Sequence, residues 1–154
     1  MRRLGIISGA LLLTSLSLGP RSESQPVDNL TILAGTWSVT TTDTGEGDCP
    51  STAGSVSTFH WLVSTQPNGT VTVAVQGENV GFPRLTGRLQ GSALTLTGQG
   101  PIVGGVGIMQ PGVRSSSSFR LTLQGNELTG RRRYSGINNG AACVALYTIH
   151  ARKL

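Results

Sequence analysis

From Gly35 onward, apolar and polar residues alternate with a period of two, the mark of extended strands with one buried face. The run Thr70-Val-Thr-Val-Ala-Val75 sets Val71, Val73 and Val75 on one face. Leu94 and Leu96 do the same between threonines, and Leu121 and Leu123 between Arg120, Thr122 and Gln124. Phe59, Trp61 and Val63 share a face, with His60 and Leu62 on the other. No long segment repeats at the 3.6-residue period of a helix. The pattern predicts strands near residues 35–42, 56–64, 70–76, 84–90, 93–99, 116–124, 127–135 and 142–152.

The connections sort by position. Gln66-Pro-Asn-Gly69, Gly91-Ser92 and Gly125-Asn126 are tight turns with Gly or Asn available for positive φ. The others are long: Thr42 to Ser55, Gly77 to Pro83, Gly100 to Ser115 and Gly136 to Ala141. Alternate turns of a meander lie at the same end, so one end is pinched and the other carries the loops. The expectation is an all-β fold, an eight-stranded antiparallel up-and-down β-barrel wide enough for side chains or one small ligand. Pairing of the first and last strands supports closure. The position numbers of Cys49 and Cys143 add to 192 and those of Trp37 and Arg152 to 189, nearly the constant that antiparallel pairing requires.

The first residues read differently. Met1-Arg-Arg3, an apolar run from Leu4 to Leu18 and a polar exit through Ser24 have the form of a secretory signal peptide. The apolar run is short of the roughly 20 residues of a membrane span. Residues 1–24 are therefore expected to be the leader, and 25–154 one barrel domain, secreted or periplasmic. Two cysteines in such a chain favour one disulfide, Cys49 to Cys143. The whole chain carries +5, and loss of the leader leaves +3. With no basic stripe interleaved with aromatics, nucleic acid is not an expected partner.

The segment Leu30-Thr-Ile-Leu-Ala-Gly35-Thr-Trp37 resembles the start of the lipocalin-like (calycin) barrels. The resemblance covers most of the mature chain in topology and only a few residues in motif. It implies a short helical turn closing the barrel floor, with Asp28-Asn29 placed to cap it. Gly35 and Trp37 would open the first strand, and Arg152 would lie over Trp37 by a cation–π contact. The lipocalin Thr-Asp-Tyr signature is missing and no helix follows the last strand, so an avidin-like or another small secreted barrel stays open.

Few residues offer chemistry. In Arg131-Arg-Arg-Tyr134, Leu128, Gly130, Arg132 and Tyr134 share one strand face. If Leu128 points inward, so does Arg132, and a buried guanidinium needs an anion or a dense set of acceptors. An Arg-x-Tyr pair inside a barrel resembles the carboxylate clamp of intracellular fatty-acid-binding proteins. The plainer alternative is a solvated arginine face or an Arg132 at the rim. Pro101 to Pro111 is an apolar, glycine-rich segment, either a lid joined by Phe82 or a plug. Asp43-Thr-Gly45 reads as a turn, and His60 and His150 lack partners at metal spacing. No catalytic constellation is visible, so neither enzymatic activity nor a cofactor or metal is expected.

Two functions fit. One is an exported, non-catalytic binding protein for a small apolar or amphipathic ligand, optionally acidic. Val71, Val73, Val75, Leu94, Leu96, Leu121 and Leu123 would line its interior, with Arg132 and Tyr134 as the polar anchor. The other is a barrel that binds a secreted protein, as small bacterial protease inhibitors do, through the N-terminal segment Gln25-Pro-Val-Asp28. A carrier needs an internal space, and an inhibitor can be filled. The low aromatic content, 5%, leans towards space.

Overall fold

Alternation becomes a closed sheet. In the computed structural model, residues 27–50, 52–77, 84–103, 109–138 and 140–154 are described. Residues 1–24, expected to be the leader, and Gln25, Pro26 and Phe82 lie outside them. A short helix, α1 (Val27–Leu33), precedes β1 (Gly35–Gly47), β2 (Val56–Thr65), β3 (Thr70–Gln76) and β4 (Arg84–Gln90). Then come β5 (Ala93–Val103), β6 (Met109–Gln124), β7 (Glu127–Asn138) and β8 (Ala141–Lys153). Each strand pairs antiparallel with its sequence neighbour and β8 returns to β1, closing an eight-stranded barrel. Closure satisfies the edge groups that an open sheet would expose.

The closed end is built by α1. Its Leu30 and Leu33 enter the core with Trp37, and the Trp37 indole Nε1 donates to the Leu33 carbonyl at 2.8 Å. Helix and strand meet at Gly35, whose φ of 120° strains any residue with a Cβ. Asn29 does not cap the helix, which begins at Val27. Its amide instead donates to the Gly91 carbonyl of the β4–β5 turn at 3.2 Å.

Register at the β1–β8 seam corrects one expectation. The partner of Trp37 is Lys153, and Arg152 pairs with Ser38. A slip of one residue moves a side chain to the other face of the sheet. Arg152 is therefore exposed and ion-paired to Glu127 at 3.4 Å, away from Trp37. Lys153 takes the floor position: its Nζ donates to the Ile32 carbonyl at 2.6 Å, placing a cation at the C-terminal end of α1.

The open end is more strand-like than its composition implied. β5 runs to Val103 and β6 starts at Met109, while β7 and β8 pair as far as Asn138 with Ala141. The connections expected over 100–115 and 136–141 are therefore largely paired ribbon. The backbone ladder continues where glycines, serines and prolines hide the alternation. β1 also runs past Thr42, with a bulge between Asp43 and Gly47.

Cys49, just beyond β1, is disulfide-bonded to Cys143 on β8 across 94 residues of chain. The Asp48 carboxylate accepts from the Val144 amide at 2.5 Å, and the Val144 carbonyl accepts from the Cys49 amide at 3.1 Å. Covalent and hydrogen bonds thus pin the same seam. Closing so long a loop stabilises by about 4–5 kcal/mol on the chain-entropy model. A Cys49→Ser/Cys143→Ser protein should lose about that much in chemical denaturation. A loss under about 1 kcal/mol would show that the hydrogen bonds hold the seam unaided.

Candidate ligand-binding site

The barrel interior changes character along its axis. Towards the closed end, Val71, Val73 and Leu96 are 0% exposed, Leu94 1%, Leu121 3% and Leu123 5%. These residues point inward as the alternation requires. At such exposures almost no water-sized space borders them, and they pack with Trp37, Trp61, Leu85 and Leu128 as one core. The volume that few aromatics were expected to leave open is taken here by two fully buried tryptophans. Val75, nearer the open end, is only partly buried and packs against this core.

Above the core lies a polar layer. Leu96, Phe119, Arg132, Tyr147 and Asp43 are successive cross-strand partners on β5, β6, β7, β8 and β1, all on the inward face. Inward Leu128 and the strict period of β7 carry Arg132 to the interior. The guanidinium carbon lies 5.0 Å from the Tyr147 ring centroid, 5.6 Å from Phe119 and 5.7 Å from Tyr134. Its Nε donates to Ser117 Oγ at 3.0 Å. Aromatic faces and a hydroxyl thus receive a charge that burial disfavours. Trp61 packs edge-on against the same Phe119 at 5.4 Å. Its indole nitrogen is a buried donor with no hydrogen-bond partner.

Burial pushes Arg132 below its ordinary pKa, while Tyr147 and Tyr134 act the other way. A guanidinium stays cationic at neutral pH regardless. Burial is also the main cause that holds the Tyr147 phenol above its usual range. Arg132 opposes this shift, and Asp43 and Tyr134 add to it. Asp43 is almost wholly buried, and its Oδ1 accepts from the Gly45 amide at 2.7 Å.

Nearer the open end the inward positions turn small: Gly98, Ser117 and Ala145, then Gly100, Ser115, Gly136 and Cys143. Their side chains are small, yet Ala145 is 1% exposed, Ser115 and Ser117 2% and Cys143 7%, so the room between Arg132 and the open end is slight. Tyr134 occupies part of that room, because a Cβ added at Gly136 would overlap its ring and hydroxyl. Arg132, Tyr134 and Tyr147 all keep some exposed surface. Residues 78–83 and 104–108, which connect strands at this end, lie outside the described residues.

Of the residues read from sequence, Arg132 and Tyr134 come together, and Arg152 belongs elsewhere. Asp43, Tyr147, Ser115 and Ser117 were missed. Parity would have found them: Asp43 continues Trp37, Val39 and Thr41, and Tyr147 continues Ile149 and Ala151. Among the described residues no three His, Cys, Asp or Glu side chains gather as a metal site. His60 and His150 are exposed on the outer surface. No protein-family model matches the chain, and a search of curated proteins finds no match.

The raised Tyr147 pKa has a thermodynamic sign. Below about pH 10 folded and unfolded chains both hold the proton, and the contribution is intact. As pH rises further the unfolded chain releases it first, and stability falls until the folded phenol also ionises. Tyr147→Phe should flatten this alkaline loss in denaturation series between pH 9 and about 11. An unchanged slope would place Tyr147 in water.

Proposed function

We propose that this protein is an exported, non-catalytic binding protein of lipocalin-like type, taking a small amphipathic molecule with an acidic head. The observation that carries this is Arg132, a largely buried cation that faces the barrel interior among three aromatic rings, with small inward residues on its open-end side. The acid would meet Arg132, with Tyr134 and Tyr147 beside it, and the apolar remainder would pack on Phe59, Phe119 and Val75. The sealed lower core confines such a ligand to the upper half of the barrel. The ligand of this reading is therefore a compact acid, not a long acyl chain. The disulfide agrees with an oxidising compartment, and with the leader expected in residues 1–24.

The filled lower half favours a second reading, a barrel that binds a secreted protein and needs no internal ligand. Native mass spectrometry of the exported, oxidised protein, followed by organic extraction, separates the two. The carrier reading expects one small acid per chain. Its affinity should fall about 10- to 100-fold in Arg132→Met, as loss of charge-assisted hydrogen bonds would give. A bare chain that binds no member of a panel of short acids would overturn it in favour of a protein partner.

A further inference from the structure

The same register that hides Arg132 lines up other arginines outside. Outward positions of β4 to β8 pair in the order Arg88, Thr95, Arg120, Arg131, Thr148. One step towards the open end, Thr86, Thr97, Ser118 and Arg133 form a parallel row. All nine side chains are exposed. Adjacent strands lie about 4.8 Å apart and alternate residues about 7 Å apart, so Arg120, Arg131 and Arg133 form a tight triangle.

This arrangement works against the fold. Arg120 and Arg131 are direct cross-strand partners, and like charges so placed destabilise a sheet. No core contact requires arginine at these outward positions. No carboxylate among the described residues relieves them, since Glu127 pairs with Arg152 at the closed end. Arg88 and Arg133 are tethered through the Asn68 carbonyl at 3.3 Å and the Ser135 hydroxyl at 3.0 Å. Between the cations stand hydroxyl groups.

We propose that the outer face of β4–β7 binds a linear acidic polysaccharide. Its carboxylates or sulfates would meet Arg88, Arg120, Arg131 and Arg133, and its sugar hydroxyls the intervening threonines and Ser118. A linear polyanion can meet Arg88, Arg120 and Arg131 along one row, with Arg133 beside it. The outward positions over 84–90, 93–99, 116–124 and 127–135 carry no aromatic side chain, so the stacking platform that single-stranded nucleic acid uses is missing there. The site is on the opposite side of the sheet from Arg132 and stands independently of the mouth.

The test is fluorescence anisotropy of the full exported protein with labelled heparin and labelled polygalacturonate over a salt series. A single-stranded oligonucleotide of matched charge serves as competitor. Wild type should bind at least one polysaccharide more tightly than the oligonucleotide. Arg120→Gln/Arg131→Gln should weaken binding about tenfold or more and lower the salt slope by about two. Its melting temperature should hold or rise, because a repulsive pair is gone, so lost binding cannot be assigned to unfolding. Arg132→Met should bind polysaccharide as wild type does. Unchanged affinity in the double variant, or tighter binding to the oligonucleotide, overturns the proposal.

Discussion

Pairing of β8 with β1 is the constraint on which the rest of this molecule depends. It converts a meander with two exposed edges into a barrel, and it gives every strand an inside and an outside. The seam is secured at both ends. At the open end the disulfide and the Asp48–Val144 hydrogen bonds clamp it. At the closed end Lys153 crosses to the last turn of α1, and the helix is tied to β1 through Trp37. Were the seam to slip by one residue, Tyr147, Ile149 and Ala151 would face solvent and His150 and Arg152 the core.

Closure sets up a division of labour inside. The lower barrel is an apolar core without space to spare, and it supplies stability. The layer above spends some of it: a guanidinium and the Tyr147 phenol are partly withdrawn from water, a carboxylate almost wholly, and a nearby indole donor is left without an acceptor. Buried polar groups of this kind are weak contributors to stability. Cation–π contacts and the Ser117 hydroxyl offset part of the cost.

Much of this was legible because period-two alternation is a local property. Val71, Val73 and Val75, or Leu121 and Leu123, declare a face without knowledge of their neighbours, and the bounds of 70–76 and 84–90 agree with the pairing. The ends of β5, β6 and β7 were hidden. Their glycines, serines and prolines do not alternate, and what holds them extended is the partner strand. The exchange of Arg152 for Lys153 shows the limit of spacing arguments, since one residue of register decides which face a side chain occupies. Asp43 was read as a turn because Asp-Thr-Gly is turn-like in isolation, whereas β8 holds it in a strand facing Tyr147.

Assignment of the Arg132 Nε–H resonance, followed by titration with a short-chain carboxylic acid and then with the alcohol of the same chain, tests the polar layer most directly. A binding layer centred on Arg132 predicts that the acid shifts this resonance and those of Tyr134 and Tyr147, while the alcohol leaves them in place. Shifts confined to the outer surface, or none with a panel of acids that fit the mouth, would mean that the buried arginine is an architectural element and that the barrel acts through its exterior.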